Sequence, residues 1–307
     1  FFDNKTLLAL ILPLVVEQLL AVLVGMADSI MIASVGEAAV SGVSLVDQIM
    51  VLLINAFSAL ATGGAVVAGQ FLGQDRREEA CKSATQMVWF ITICAIGITV
   101  LVYLGKSFIL HTVFGKIDQD VMHHADIYLL TVAASIPFMA LYNGGAAIFR
   151  TMGNSKVTMQ ISIIMNVINI GGNAILIYGA GIGAAGAALS TLFSRILSAV
   201  MIIVLLGKSD KIIVSNHWRV DTKILGKILY IGVPNGLENS IFQIGKLLTT
   251  SLIAGFGMAA TTANAVTGSI ASFQQIPANA IGVAMITVIG QCIGAGETEQ
   301  ALYYLKK

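Results

Sequence analysis

Long apolar stretches alternate with short polar segments along the chain. Runs without a charged residue cover 48–74, 83–105 and 127–149. Each of these runs is long enough for one membrane helix, which needs about 20 predominantly apolar residues. The pattern therefore predicts a polytopic α-helical membrane protein.

Two longer apolar runs are divided by predicted turn sequences rich in small residues. Glycines at 179–183 interrupt the run 157–194, and the run 247–296 exceeds one span, which predicts a break near 256–262. The first stretch is too long for the apolar region of a signal peptide and lacks a cleavage pattern. We therefore predict eight spans, at about 6–33, 45–73, 84–105, 126–149, 157–178, 184–207, 228–255 and 262–295.

The composition agrees with that pattern. Of the 307 residues, 57% are apolar and only 11% are charged, against roughly 25% charged residues in soluble domains. These values exclude a soluble globular domain, a disordered chain and a nucleic-acid-binding protein. Three scattered cysteines favour neither a disulfide framework nor a metal cluster. The sequence contains no phosphate-binding glycine motif with its lysine, so it does not indicate ATP hydrolysis.

Lysine and arginine are distributed unevenly between the two sides of the predicted spans. With the N-terminus inside, the inner segments carry thirteen of them, whereas the outer loops carry only Lys106 and Lys116. This asymmetry predicts a cytoplasmic N-terminus in a multi-pass cell-membrane protein, with a bacterial cytoplasmic membrane as the default. The two remaining cations, Arg195 and Lys246, fall within spans.

The start of the chain aligns with its end at an offset of 221 residues, without gaps. Pro13 then matches Pro234, and Glu17 matches Glu238. Apolar composition alone does not align a proline and an intramembrane glutamate at one offset, so we interpret the match as a duplication. Further matched positions are Ile32-Ala33 with Ile253-Ala254, Gly36 with Gly257, and Gly69-Gln70-x-x-Gly73 with Gly290-Gln291-x-x-Gly294.

Six spans separate the two copies of span one. Because six is an even number, both copies cross the membrane in the same direction, which defines a parallel internal repeat. The predicted organisation is an N-terminal lobe over 1–207, a cytoplasmic linker over 208–227 and the start of a C-terminal lobe over 228–307. The second copy stops after two spans, so we expect a piece of a protein of about twelve spans, truncated after the eighth.

Five sequence features occur together along the chain. They are Pro13 with Asp28 in span one, Gly36-x-Ala38-Ala39, Gly69-Gln70-Phe71-Leu72-Gly73, Asn169-x-x-x-Asn173 in span five, and Gly183-Ala184-Ala185-Gly186-Ala187-Ala188. In these features the whole chain resembles the multidrug and toxic compound extrusion (MATE) family of secondary transporters. The resemblance implies an all-α bundle of two six-helix lobes, the second incomplete here, that exports organic cations in exchange for H⁺ or Na⁺.

Asp28 is the most specific single candidate for a residue that takes part in transport. A carboxylate inside a membrane helix costs about 2.5–3.5 kcal/mol on insertion scales, so it usually faces the bundle interior and marks a pathway. The alternative interpretation is a structural ion pair or an interfacial anchor, since Asp28 lies nearer the outer end of its span.

Asn166, Asn169 and Asn173 lie at i, i+3 and i+7 in span five, within about 60° of one another around a helix. Unpaired amides are costly in lipid, so this stripe faces other helices, either to line a pathway or to bond between helices.

In the MATE family the position of Asn173 is often an aspartate that shares a cation site with the carboxylate of span one, and Thr191 matches a hydroxyl of that site. The resemblance implies ion coupling at Asp28, Asn169, Asn173 and Thr191, with the asparagine leaving one fixed negative charge. These oxygen ligands suit Na⁺, and a proton on Asp28 fits equally well. No other cofactor is expected.

Glu17 and Asp28 are 11 residues apart, so they share a helix face about 16 Å apart along the axis and could line one cavity. Alternatively, Arg195 or Lys246 neutralises a glutamate in a buried pair. We predict a substrate pathway lined by Glu17, Asn166, Glu238, Gln243, Gln274 and Gln275.

Four prolines lie within predicted spans, where a missing backbone donor tends to kink a helix. We predict bends at Pro13 and Pro234, and a bend at Pro13 could change the volume beside Asp28. A static kink is the alternative.

The predicted function is antiport of amphipathic organic cations against H⁺ or Na⁺ by alternating access, in a lipid bilayer and without nucleic acid. The first alternative is a flippase for lipid-linked oligosaccharides or polar lipids, which should have a strongly cationic cavity. A non-transporting receptor or scaffold would not explain the repeat or the buried carboxylates. No nucleophile–base set indicates an enzyme.

Overall fold

The computed structural model describes residues 2–113, 118–214 and 220–307, and these contain helices and no strand. Lys116 and residues 215–219 of the predicted linker lie outside the described residues. Two π-helical segments, Ile109–Val113 and Ala174–Gly179, extend neighbouring helices. The α-helices are α1 (Asn4–Ala33), α2 (Glu37–Gly73), α3 (Arg77–Leu104), α4 (Lys106–Phe108), α5 (Gln119–Ala133), α6 (Ile136–Thr151), α7 (Ser155–Asn173), α8 (Gly183–Gly207), α9 (Thr222–Ala254), α10 (Met258–Gly294) and α11 (Thr298–Lys306).

Six of the described helices are long and apolar enough to cross a membrane, namely α1, α2, α3, α7 with its π-helical extension, α8 and α10. A seventh span is formed if α5 and α6, which meet at 49°, are taken together. The seventh predicted span, 228–255, corresponds to α9, a helix of 33 residues. Polar residues such as Asn235, Glu238 and Gln243 make α9 less apolar than the other six. A polytopic bundle is confirmed, with fewer uniformly apolar spans than predicted.

Predicted span four is two helices. α5 ends at Ala133 and α6 starts at Ile136, directly before Pro137. The proline ring at the start of α6 cannot continue the hydrogen-bond ladder of α5, which explains the bend at this point. By contrast, α1 and α9 continue through Pro13 and Pro234 as single helices. Their predicted bends, and any change of cavity volume, stay predictions.

The internal repeat extends to the turns between helices. α1 and α9 end at equivalent residues under the 221-residue offset, and so do α2 and α10. Gly36 and Gly257 precede the second helix of each copy, with φ of 140° and 99°. Asp75 and its equivalent Gly296 both have positive φ in the next turn. Because of Gly36 and Gly257, α2 and α10 begin earlier than the predicted spans. The positive-φ turn, and not the onset of apolar sequence, sets where each of these helices begins.

The two copies pack against each other in a crossed arrangement. α2 contacts α9 and α10, while α1 contacts α7 and α10. The contacts of α2 with α9 and α10, and that of α1 with α10, cross the predicted boundary between the lobes. Residues of α1, α10 and α11 form one apolar cluster, and the larger apolar cluster lies mainly among α2, α3, α5, α6 and α8.

The repeated glycines give α2 and α10 their closest approach. A Cβ atom on Gly73 would lie 2.1 Å from the carbonyl oxygen of Gln291, and one on Gly294 would lie 2.1 Å from that of Gln70. The contact is reciprocal, as a two-fold relation between the copies requires. The side-chain amide of Gln291 also donates to the carbonyl oxygen of Thr151 at 2.7 Å. The Gly-Gln-x-x-Gly motifs therefore form a helix crossing.

Replacing Gly73 by alanine is expected to lower the thermal stability of the full-length protein, because backbone atoms of Gln291 cannot move aside easily. Overpacking of this kind typically costs about 1–3 kcal/mol. Gly97→Ala in α3 is the matched control, since its added methyl meets nothing within 4 Å and alanine favours a helix. Melting in detergent compares the two. Equal melting temperatures for both variants would contradict the tight crossing.

Candidate functional site

A cavity of about 270 Å³ opens among α1, α2, α5, α7 and α8. It is polar on several sides, although the helices that surround it are apolar overall. Its charged and hydrogen-bonding side chains include Asp28, Asp47, Tyr128, Asn166, Asn169, Asn173, Thr191 and Arg195.

Asp28 is half-buried on α1 and faces the amides of α7. The side-chain nitrogen of Asn173 donates to Oδ1 of Asp28 at 2.7 Å. Asn173 is only 1% exposed, so its amide cannot turn to water instead. The carboxyl group therefore lies against protein dipoles within the bundle and not against lipid.

Asn169 can face Asp28 with either end of its amide. With its nitrogen toward Asp28, it donates to Oδ1 and Oδ2 at 3.1 and 3.2 Å, and its oxygen accepts from the hydroxyl of Thr191 at 3.2 Å. In the opposite orientation its nitrogen donates to Thr191. The first arrangement suits an ionised carboxylate, and the second suits a protonated one that donates to the amide oxygen.

The spacing of the asparagines places all three on the cavity side of α7. Asn166, Asn169 and Asn173 are 9%, 6% and 1% exposed, and all three line the cavity. Ser190 of α8 supports this face, since its hydroxyl donates to the carbonyl oxygen of Asn169 at 2.7 Å. Asn169 bonds between helices, to Thr191 of α8, whereas Asn166 bonds to Ser162 within α7 at 3.4 Å. A pathway role for the stripe stays a prediction.

The side-chain oxygen atoms around Asp28 are suitable ligands for a small hard cation. Among the described residues the side-chain oxygen of Asn173 is buried and accepts no hydrogen bond. A buried acceptor without a donor is costly unless a proton donor or cation satisfies it. Asp28, Asn169, Asn173 and Thr191 would hold Na⁺ through oxygen alone. Within the same described parts of the chain no cluster of three His, Cys, Asp or Glu side chains could hold another metal.

Asp47 of α2 is a second cavity carboxylate, which our sequence analysis missed. The hydroxyl of Tyr128 donates to its Oδ1 at 3.1 Å. Arg195 lines the same cavity and donates to the hydroxyl of Ser135, at the bend between α5 and α6, at 2.7 Å. The signal was available, because Asp47 falls within predicted span two just as Asp28 falls within span one. The cavity as a whole therefore contains two carboxylates, of which only Asp28 belongs to the predicted ion-coupling set.

Glu17 lies in a different environment from Asp28. Arg150 of α6 donates to Oε1 of Glu17 at 2.5 Å, and the hydroxyl of Thr158 donates to Oε2 at 3.1 Å. Glu17 is 8% exposed and is not among the residues that line the Asp28 cavity. The predicted partners were wrong, because Arg195 lies in the Asp28 cavity and Lys246 is exposed. Sequence alone does not show which helix ends meet.

The remaining predicted pathway residues lie apart from the Asp28 cavity. Gln243 is half-buried and lines a neighbouring groove that Asp47 also lines. Glu238, Gln274 and Gln275 are exposed on α9 and α10 and do not line the Asp28 cavity. Their place in a substrate pathway stays a prediction.

The fold and site together define a class of protein: a polytopic helical membrane protein with a parallel internal repeat and carboxylates inside the bundle. The chain belongs to the MatE family, whose model matches residues 13–175 and 234–307. The family resemblance inferred from the motifs is thereby confirmed, and members of this family are transporters and not enzymes.

Two curated relatives are an uncharacterized transporter YisQ of Bacillus subtilis and a probable multidrug resistance protein NorM of Thermotoga maritima. They are 29% and 25% identical to the chain over 96% and 99% of its length. The chain spans 66% of the length of each of them.

Solved structures show the same fold. A crystal structure of MATE in the bent conformation superposes with a TM-score of 0.90 at 22% identity, covering 99% of this chain and 69% of that one. An outward-facing multidrug resistance MATE family transporter of the MOP superfamily gives 0.89 at 22% identity, covering 98% and 68%.

Proposed function

We propose that the protein is a secondary active multidrug exporter, an antiporter that exchanges amphipathic organic cations for H⁺ or Na⁺ by alternating access across the cell membrane. The observation that carries this proposal is the position of Asp28, whose carboxyl group is held by amides of α7 inside a cavity. The relatives named as multidrug resistance proteins support the substrate class.

The chemistry of exchange follows from the number of charges. Asp28 offers one negative charge, which a proton or Na⁺ neutralises on binding. Neutralising Asp28 removes one negative charge from the cavity and so weakens its attraction for an organic cation, which makes the two ligands compete. Competition of this kind couples the entry of the coupling ion down its gradient to the export of the organic cation against its gradient.

The cavity charge favours a cationic substrate over an anionic lipid headgroup. Two carboxylates, Asp28 and Asp47, face one guanidinium, Arg195, among its lining residues. Two negative charges against one positive charge leave one net negative charge when all three are ionised. A flippase for phosphate-linked substrates needs the opposite balance, so the exporter is the better-supported function.

The test uses the full-length protein in lipid vesicles with ethidium as a fluorescent organic cation. We expect an inward gradient of either H⁺ or Na⁺ to accelerate ethidium efflux without ATP, and collapse of that gradient by an ionophore to remove the acceleration. Vesicles without protein are the control. Ethidium efflux that responds to neither gradient would eliminate the antiport mechanism.

A further inference from the structure

We infer that Asp47 binds the charged group of the exported organic cation, while Asp28 serves the coupling ion. This inference rests on the proposed function, because it divides two roles within one exporter. It assigns the substrate to a carboxylate on α2, next to a groove that faces α9.

Asp47 lies where two spaces meet. Together with Ser44 it lines the Asp28 cavity of about 270 Å³ and also a neighbouring groove of about 320 Å³. Ligand pockets usually measure roughly 300–1,000 Å³. The cavity alone is below that range and the groove alone is at its lower end, whereas a ligand centred on Asp47 could occupy both.

The two carboxylates differ in what they offer a ligand. Asp28 is half-buried and is held by the amide of Asn173. Asp47 is exposed to the two spaces, and among the described residues its hydrogen-bond partner is Tyr128 alone. Its Oδ1 is held by the phenol, so Oδ2 is left for a ligand. None of the direct ion pairs in the described parts of the chain includes Asp47, although Arg195 lines the same cavity.

Tyr128 gives this carboxylate a fixed position. Its side chain is 5% exposed, so the ring is held by packing in α5 while its hydroxyl reaches Asp47. A carboxylate fixed by one hydrogen bond loses little further freedom when it binds a cation, which favours binding.

The groove suits the apolar part of such a ligand. Val51 and Leu52 are 43% and 36% exposed on its wall, and Gln48 and Gln243 lie beside them. An apolar wall next to an available carboxylate matches an amphipathic molecule with one positive charge. Ethidium, with an aromatic body and a single positive charge, has this chemistry.

The test measures ethidium binding to purified full-length protein by fluorescence polarisation. Asp47→Asn is expected to weaken ethidium binding about tenfold, since it removes the charge partner at nearly constant shape. Binding of an uncharged phenanthridine of similar size should change little. At saturating ethidium, gradient-driven efflux by Asp47→Asn should still respond to the coupling ion, with the defect confined to KM.

Three further variants separate a charge effect from misfolding. Asp47→Glu keeps the charge and should bind ethidium within a few-fold of wild type, and Tyr128→Phe should show a smaller loss than Asp47→Asn. Asp126→Asn is the matched control, since Asp126 pairs with Lys106 outside the cavity. The inference is overturned if Asp47→Asn binds ethidium as wild type does, or loses the neutral and cationic ligands equally. If wild type shows no gradient-driven efflux, the proposed antiport mechanism is refuted. The role of Asp47 in ethidium binding is still decided by the binding measurements.

Discussion

Replacement of Asp28 by asparagine is expected to abolish the effect of an H⁺ or Na⁺ gradient on cation efflux. Asparagine has nearly the same shape as aspartate, and the hydrogen bond with Asn173 can persist. It carries no negative charge and cannot take up a proton, so the coupling ion loses the group that it neutralises. The expected loss of gradient-driven efflux is complete, because the other cavity carboxylate, Asp47, is not held by the amides of α7.

The measurement compares ethidium efflux from vesicles containing wild type or Asp28→Asn under separate H⁺ and Na⁺ gradients. Asp126→Asn, the same chemical change outside the cavity, should retain the wild-type response. Equal protein incorporation and equal melting temperatures exclude misfolding. Gradient-driven efflux that survives undiminished in Asp28→Asn would remove Asp28 as the coupling site.

Replacement of Arg150 by methionine is expected to destabilise the protein by about 3–5 kcal/mol, the usual cost of leaving one charge of a buried pair without its partner. Glu17 would remain 8% exposed with Thr158 as its only other side-chain donor among the described residues. The pair joins α1 to α6, and the carbonyl oxygen of Arg150 also accepts from Thr287 of α10. Loss of the pair therefore weakens the contact between α1 and α6, whereas the bond of Thr287 to the backbone carbonyl of residue 150 can persist.

Thermal or denaturant unfolding of the full-length protein in detergent measures the effect. The double variant Glu17→Gln with Arg150→Met removes both charges and should regain much of the lost stability. Arg76→Gln, which breaks the exposed pair with Glu79, should change stability by about 1 kcal/mol or less. A stable Arg150→Met variant would mean that the Glu17 pair contributes little, and would restore Glu17 as a candidate for the pathway.

Local patterns predicted the helices and part of the site. The apolar runs located the membrane helices, because burial of about 20 apolar residues in lipid needs only local sequence. The i, i+3, i+7 spacing placed Asn166, Asn169 and Asn173 on one face, since that spacing fixes direction around a helix. Matching glycines at one offset revealed the repeat, which the positive φ angles of Gly36 and Gly257 reproduce.

Partners distant in the chain were predicted less well. Glu17 was matched with Arg195 or Lys246, yet it pairs with Arg150. Asp47 was overlooked, although it shares the cavity with Asp28. The first error arose because charge and hydropathy along a sequence do not state which helix faces lie next to one another. The second did not need tertiary information, because the position of Asp47 within predicted span two could be read from the sequence.

The sequence by itself determined that the chain forms membrane helices, that it is duplicated, and which side of α7 is polar. Each of these properties depends on residues close together in one helix or on a comparison of the chain with itself. Only the tertiary structure decided that Asp28 meets the amides of α7, that Asp47 and Arg195 enter the same cavity, and that Glu17 is neutralised by Arg150. Those contacts depend on how helices far apart in sequence pack, and packing is a property of the assembled bundle.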